Sequence, residues 1–210
     1  MANLTLYGTP ISTYVRTARL LLASAGVDYS LKDIGIFNGD TQTDDYLSKH
    51  PFGKIPTLEI DGDYIYETDA ITLYINEKFA DGRFSPSDLL AKARMHQVMS
   101  IVNSYLYDPA VQTLTIENLV KPQQGKEIDE QAVEAAIAPT QKALEAIETL
   151  FTGSPYILGS SLSIADFYLI PIFFYISKTP QFQAVTANTP KLTDWWDKAQ
   201  ALDIVKEVCG

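Results

Sequence analysis

The sequence has little cysteine, little positive charge and no long apolar run, and each shortage excludes a class of protein. A single cysteine, Cys209, among 210 residues can form neither an internal disulfide framework nor a cysteine-based metal site. We therefore expect a chain from a reducing compartment, the cytoplasm, with no metal. Sixteen Lys and Arg against 26 Asp and Glu give a net charge of -10, which opposes binding to nucleic acid or anionic membrane.

Apolar residues make up 46% of the chain, but no run of them is long. The longest nearly unbroken run, residues 167–176, is about half of the ~20 residues that a bilayer span needs. The N-terminus lacks the basic and then apolar pattern of a signal segment. These features predict a soluble, unprocessed globular protein with one large domain or two compact ones.

The first half of the chain changes period repeatedly, as a mixed α/β domain does. Apolar residues alternate around Leu4 and Leu6, which predicts a strand, and from Val15 they recur at helical spacing until Gly26. Further elements are predicted before residue 80: a strand at 27–36, a helical turn at 44–49, a hairpin of Thr57–Ile60 and 64–66 around Asp61-Gly62, and a helix with Thr68 as hydroxyl N-cap.

Residues 80–88 are rich in turn formers, and no strand pattern follows them. The second half is therefore predicted to be all helical. Its helices are expected at 89–107, at 129–151 with a kink or a fresh start at Pro139, at 163–177, and after Thr189-Pro190, where Thr189 is the N-cap of a helix that carries Trp195 and Trp196.

Two adjacent hydroxyls, Ser12 and Thr13, lie where the first strand gives way to the first helix. The unpaired N–H groups and the positive dipole end of a helix start favour an anion nearby. One hydroxyl can cap the helix while the other points outward. No acid or histidine lies close in sequence to act as a base, so a hydroxyl here is suited to donating a hydrogen bond rather than to attacking.

A second group of candidates surrounds the hairpin. Pro56 stands where a strand begins, either as an ordinary strand-initiating proline or as a cis proline that exposes the Ile55 N–H and C=O to a ligand. Glu67 and Thr68 precede another helix start, which is suited to a carboxylate, with Glu67 placed to meet an ammonium group. Their ordinary interpretation is an acid and a cap, and that of Lys54 is a solvated surface charge.

Three segments, FGKIPTL, YETDAITLYI and SSLSIADFYLIP, carry a resemblance to a known family. With them the chain resembles the cytosolic glutathione transferases over its whole length. The resemblance implies an α/β thioredoxin-like N-terminal domain in residues 1–80, a linker at 81–88 and an all-α C-terminal domain in residues 89–210. In the last segment, Ser163 and Asp166 fit a capping box and are assigned to folding.

The resemblance also implies roles for the candidates. In the serine-type branches, similar to the phi, theta and delta classes, a serine at the place of Ser12 donates a hydrogen bond to the sulfur of glutathione. Tyr7 is the alternative, because other classes place a catalytic tyrosine at the end of the first strand. The remaining implied contacts to glutathione, the co-substrate, are Lys54 near the glycyl end, Ile55 and Pro56 beside the cysteinyl unit, and Glu67 and Thr68 at the γ-glutamyl end. The chain departs from the phi-like pattern in the loop after the second strand, where it offers Thr41 and Gln42 in place of a basic residue, and Gln42 is the candidate there for the glycyl end.

The implied activity is transfer of the glutathione thiolate to hydrophobic electrophiles, with peroxidase activity as an addition, in a homodimer. The electrophile pocket is expected between the first loop and the long helix after the linker, lined by Ile11, Phe37, Asn103 and Tyr107. Two alternatives stay open: a non-catalytic binding or assembly module of the same fold, and a specialised dehalogenase or isomerase on that fold.

Overall fold

The computed structural model describes residues 3–210, which divide into two compact units. The first unit consists of the residues up to Arg83 together with Asp203–Gly210, and the second is Phe84–Leu202. The helices and strands of the first unit are β1 (Leu4–Tyr7), α1 (Thr13–Ala25), β2 (Ser30–Lys32), α2 (Asp44–Leu47), β3 (Thr57–Ile60), β4 (Asp63–Tyr66), α3 (Thr68–Phe79) and, at the C-terminus, α10 (Asp203–Cys209).

The four strands of the first unit form one mixed sheet in the order β2-β1-β3-β4. β2 runs parallel to β1, while β3 is antiparallel to both β1 and β4. Leu6 of β1 lies opposite Leu58 of β3, and both side chains are fully buried. Because side chains alternate across a strand, Tyr7, Thr57 and Glu59 share the other face of the sheet. The predicted thioredoxin-like order of elements is therefore present.

Two predictions about the first unit need correction. The strand expected at 27–36 covers only Ser30–Lys32, the three residues that pair with Thr5, Leu6 and Tyr7 of β1. The C-terminal helix α10, assigned by sequence to the helical half, groups with the first unit. It packs against α1, where Arg19 Nη1 donates to the Val208 carbonyl at 3.3 Å.

The second unit, all of which is described, contains helices and no strand, only an isolated bridge between Tyr156 and Gly159. The helical backbone runs unbroken from Leu89 to Gln123 and does not end at residue 107 as predicted. Its parts are α4 (Leu89–Ile101), π-helical turns at Val102–Leu106 and Asp108–Val120, and α5 (Lys121–Gln123). Pro109 lies near the start of the second π-helical segment, where a missing backbone N–H is tolerated best.

The remaining helices of this unit are α6 (Glu130–Leu150), α7 (Ile164–Ile176), α8 (Phe182–Val185) and α9 (Pro190–Ala199). α6 continues through Pro139 as one helix. α7 is almost wholly buried and begins with the predicted capping box of Ser163 and Asp166. Thr189 does occupy the N-cap position of α9, but its side chain makes no capping hydrogen bond. Among residues 3–210, no helix has both the length and the apolar character that a bilayer crossing requires.

Candidate active site

Ser12 is the N-cap of α1, and its hydroxyl makes only a long capping hydrogen bond. Its backbone is extended, with φ -69° and ψ 133°, and its Oγ accepts from the Val15 N–H at 3.5 Å. That distance is at the long limit of a hydrogen bond. Capping uses a lone pair of the oxygen and leaves the hydroxyl proton available to a second acceptor. The half-buried Ser12 can therefore cap the helix and donate to an anion at once.

Thr13 does not supply the outward hydroxyl that the sequence suggested. Its side chain is buried, and among the residues described its Oγ1 has no hydrogen-bond partner. The two roles proposed for the hydroxyl pair, capping and donation outward, therefore both fall to Ser12.

A glycine lets the loop that carries Ser12 pack closely against the first turn of α1. Gly8 has φ +151°, and a Cβ at this position would clash with Val15 Cγ2, whereas it would lie at an ordinary contact distance of 3.4 Å from Ile55 Cβ. The positive φ and the close approach to Val15 both favour a residue without a side chain. Val15 at the start of α1 and Ile55 therefore both lie beside Gly8.

Tyr7, the alternative to Ser12, is buried and already engaged. Its hydroxyl donates to Glu59 Oε2 at 2.5 Å, and Lys32 Nζ lies 5.3 Å from the centre of its ring. Burial, together with the Glu59 carboxylate, raises the pKa of Tyr7 far above its ordinary value. A weakly acidic phenol that already donates to a carboxylate is poorly suited to stabilising a thiolate. This geometry favours Ser12 as the donor.

The segment from Gly53 to Pro56 forms the middle of the site. The Ile55–Pro56 peptide bond is cis, and β3 begins at the next residue. Gly53 has φ +56°, and a Cβ there would lie 2.4 Å from Gln42 Nε2 and 2.6 Å from the Thr41 carbonyl oxygen. The side chain of Gln42 therefore lies against the backbone just before Lys54, and both side chains are exposed to solvent.

Glu67 and Thr68 join this site through the sheet, because Thr57 pairs with Tyr66, the residue before Glu67. The predicted hydroxyl cap is wrong: Thr68 is the first helical residue of α3, the N-cap position is Glu67, and no side chain caps it. Glu67 has φ +70°, a conformation that costs a non-glycine residue about 1–3 kcal/mol. The first N–H groups of α3 are thus left for a ligand carboxylate.

His50 and Tyr46 belong to the surroundings of this site, and sequence reasoning gave neither a role. His50 is buried, its Nδ1 accepts from the Phe52 N–H at 3.3 Å, and its ring lies 4.8 Å from that of Tyr66. Burial lowers the pKa of His50, while the negative charge of Glu67 opposes that change. The only available sequence signal was their position, a few residues before the Gly53–Pro56 segment.

The four residues expected to line an electrophile pocket divide between the two units. Ile11 and Phe37, in the first unit, are 50% and 64% exposed. Asn103 lies in the first π-helical segment of the long helix in the second unit, and Tyr107 lies between the two π-helical segments. Their grouping in one pocket stays a prediction. In the described part of the chain, no three His, Cys, Asp or Glu side chains are grouped to hold a metal ion.

Comparison with known proteins agrees with the fold described above. Residues 6–83 match the family model "Glutathione S-transferase, N-terminal domain", and residues 94–203 match "Glutathione S-transferase, C-terminal domain". The chain is 29% identical to glutathione S-transferase F6 of Arabidopsis thaliana, with 93% of each chain covered. It is 30% identical to the probable glutathione S-transferase GSTF2 of Oryza sativa subsp. japonica, covering 96% of this chain and 93% of the relative.

Solved structures of similar proteins agree with these family matches. Glutathione transferase F7 from Populus trichocarpa superposes with a TM-score of 0.84 at 28% identity, covering 98% of this chain and 97% of that one. Glutathione S-transferase-I, solved with lactoylglutathione bound, has a TM-score of 0.83 at 26% identity and covers 99% and 98% of the two chains. Both domain matches and both superpositions extend over the two units described above, and the chain therefore belongs to the glutathione S-transferase family.

Proposed function

We propose that the protein is a serine-type glutathione transferase, in which Ser12 donates a hydrogen bond to the glutathione sulfur and holds it as a thiolate. The observation that carries this proposal is the Ser12 hydroxyl at the start of α1, which only accepts in its 3.5 Å capping contact and so keeps its proton for another acceptor. The engaged hydroxyl of Tyr7 supports the same choice.

The energetic demand on Ser12 is modest. A free cysteine thiol has a pKa of about 8.5, and lowering it by about two pH units requires about 2.7 kcal/mol of preference for the anion. A hydroxyl hydrogen bond to a charged acceptor contributes about 1.5–3 kcal/mol. The helix N-terminus adds about 0.3–1 kcal/mol, and more where it is partly buried. These contributions suffice without a metal or a general base.

The rest of the tripeptide would be bound by groups along the same edge of the sheet. We propose that Lys54 and Gln42 approach the glycyl carboxylate and that the backbone of Ile55 pairs with the cysteinyl unit beside Pro56. At the other end, Glu67 would meet the γ-glutamyl ammonium, while Thr68 and the uncapped start of α3 would accept the carboxylate. Lys54, Gln42 and Glu67 are all exposed to solvent, so their side chains are accessible to a ligand, which supports these roles.

The chemical step is a nucleophilic attack by sulfur. The thiolate electron pair forms a carbon–sulfur bond to an electrophilic carbon. The bond from that carbon to its leaving group breaks, and the leaving group departs with the electron pair. Holding the two reactants together supplies further acceleration. The electrophile is proposed to be hydrophobic and to be bound by Ile11, Phe37, Asn103 and Tyr107.

The test is to measure the ionisation of bound glutathione by thiolate absorbance in wild type and in Ser12→Ala. Loss of a hydrogen bond worth about 1.5–3 kcal/mol raises the pKa of the bound thiol by about one to two pH units. The rate of chlorodinitrobenzene conjugation at neutral pH should fall in parallel. Ser12→Thr keeps the hydroxyl and serves as the matched control, which should retain most of the thiolate.

Two outcomes would contradict the proposal. If Ser12→Ala leaves the thiol pKa unchanged and Tyr7→Phe raises it, Tyr7 is the donor. If the wild type is neither retained on immobilised glutathione nor active on a panel of electrophiles, the protein is a non-catalytic module of this fold.

We also propose that the protein is a homodimer in the cytoplasm, as the resemblance implies. Exposed leucines in each unit support this proposal, because a partner subunit could cover them. Leu73 on α3 is 55% exposed, and Leu89 and Leu90 at the start of α4 are 80% and 60% exposed. Light scattering coupled to size-exclusion chromatography measures the mass directly. A mass equal to that of one chain at micromolar concentration contradicts the dimer.

A further inference from the structure

Tyr46 of α2 is a buried tyrosine whose hydroxyl binds both ends of the segment that carries Ile55. Its hydroxyl donates to the Lys54 carbonyl at 2.7 Å and lies 3.0 Å from Thr57 Oγ1. Its side chain is 2% exposed, although α2 has only four residues and lies at the surface in most of its other positions. The buried Tyr46 hydroxyl therefore connects this short helix to Lys54 and Thr57, the residues on either side of Ile55-Pro56.

The direction of these hydrogen bonds follows from the donors available. A phenol has one proton, and the Lys54 carbonyl can only accept, so the Tyr46 proton lies on that bond. Thr57, which is fully buried, then donates its own hydroxyl proton to the Tyr46 oxygen. Burial raises the pKa of Tyr46, which keeps the phenol protonated and able to donate. The result is a chain of hydrogen bonds from Thr57 through Tyr46 to Lys54.

The Lys54 carbonyl belongs to the same peptide group as the Ile55 N–H. A peptide group is planar, and in the trans form its C=O and N–H point in opposite directions. Fixing the carbonyl against Tyr46 therefore fixes the N–H of Ile55 on the opposite side. A carbonyl that accepts a hydrogen bond also polarises its peptide group, which makes the N–H a stronger donor.

The ring of Tyr46 is held in place independently of its hydroxyl. It belongs to a buried cluster with Tyr7 and Ile34, against which Ile55 packs. The ring centres of Tyr7 and His50 each lie 6.4 Å from that of Tyr46. Removing the hydroxyl alone therefore leaves the ring packing and takes away the hydrogen bonds to Lys54 and Thr57.

We propose that Tyr46 is a positioning residue for glutathione, which orients and polarises the Ile55 N–H so that it can donate to the cysteinyl unit. This inference rests on the proposed function of the site. Tyr46 does not touch the tripeptide, and its contribution reaches the ligand through one peptide plane. Its effect belongs to glutathione binding and not to the chemical step.

The decisive variant is Tyr46→Phe, analysed by steady-state kinetics with glutathione varied. We expect KM for glutathione to rise about 3- to 10-fold, equivalent to about 0.7–1.4 kcal/mol, with kcat within about twofold of wild type. Thr57→Val removes the hydroxyl that donates to Tyr46 and should raise KM less than Tyr46→Phe does. Thr57→Ser keeps a hydroxyl at this position and should behave as wild type. A purely structural role would instead lower the active fraction, and with it kcat, at unchanged KM.

A second measurement requires no turnover. The backbone amide resonance of Ile55, observed in isoleucine-labelled protein without ligand, should shift upfield in Tyr46→Phe because its peptide group is less polarised. Tyr29→Phe removes a hydroxyl that is bonded to Arg19 instead, and both this resonance and KM should then stay unchanged.

The two measurements separate this inference from the proposed function. A wild type that does not bind glutathione contradicts the proposed function, and the Ile55 resonance still decides whether Tyr46 orients that peptide. If the wild type binds glutathione while Tyr46→Phe has the same KM and the same Ile55 resonance, Tyr46 is not a positioning residue.

Discussion

His50 is a buried imidazole that the backbone uses as a hydrogen-bond acceptor. Its Nδ1 can accept from the Phe52 N–H only while that nitrogen is unprotonated. Burial lowers the pKa of His50, with Glu67 opposing and Lys54 reinforcing that change. Since the pKa is lower in the folded than in the unfolded protein, the contribution of His50 to stability is complete above the unfolded value of about 6.5. It is lost as the pH falls through the folded value.

The lowered pKa of His50 predicts how a substitution at this position changes the pH dependence of stability. In His50→Asn, the side-chain oxygen can accept from the Phe52 N–H at any pH. We expect the loss of stability between about pH 7 and pH 5 to be smaller in this variant than in wild type, measured by urea denaturation. His96, the other histidine, is exposed on α4, and His96→Asn is the matched control. Equal pH dependence in His50→Asn and wild type would contradict this account.

At the scale of elements, the start of α9 is capped by a side chain of another helix. Glu148 of α6 accepts from the backbone N–H groups of Lys191 and Leu192, at 3.0 Å each. The Thr189 hydroxyl, predicted as the cap, donates instead to the Thr186 carbonyl at 3.1 Å. A carboxylate at a helix N-terminus gains from both the N–H groups and the dipole.

We expect Glu148→Gln to lower the free energy of unfolding by about 1–2 kcal/mol, because an amide offers one acceptor oxygen and no charge. In a chain of this length that corresponds to a fall in Tm of about 2–8 °C. Differential scanning calorimetry measures it. Glu145→Gln changes an exposed contact to Asn188 and should shift Tm by less than about 2 °C. Equal shifts in the two variants would mean that Glu148 is not the cap.

At the scale of the whole molecule, the fully buried carboxylate of Asp166, at the start of α7, joins several parts of the second unit. It accepts from Ser163 N and Oγ at 2.8 Å and 2.7 Å, from the Ile157 N–H at 3.1 Å and from the Trp195 indole at 2.8 Å. Burial raises the pKa of Asp166, and these four donated bonds partly offset that rise. The capping box predicted from the sequence is thus also the junction between α7, α9 and the loop at Ile157.

Asp166→Asn should be the most destabilising of these substitutions. The new amide group presents N–H atoms to buried donors, so at least one donor is left unsatisfied at a cost of about 1–3 kcal/mol. Trp195→Phe removes only one of the donors, keeps an aromatic ring in the core, and should cost less. Urea denaturation of both variants checks the order. A larger loss in Trp195→Phe would mean that ring packing, and not the carboxylate, holds the junction.

Local chemistry in the sequence was sufficient for several features. The alternation in β1, the Asp61-Gly62 hairpin, the start of α1 at Ser12 and the Ser163–Asp166 capping box all arise from residues a few positions apart, whose preferences are expressed wherever the chain lies. The three family-like segments carried the resemblance, and with it the α/β and all-helical halves that the domain matches bear out.

Other features depend on groups that are distant in the chain, and only the tertiary structure decided them. The Glu148 cap of α9, the Trp195 bond to Asp166 and the packing of α10 on α1 join residues tens to almost two hundred positions apart. The same holds for the engaged hydroxyl of Tyr7. A hydrogen-bonding group chooses its partner by distance and direction in space, and a single sequence contains neither for residues that the fold alone brings together.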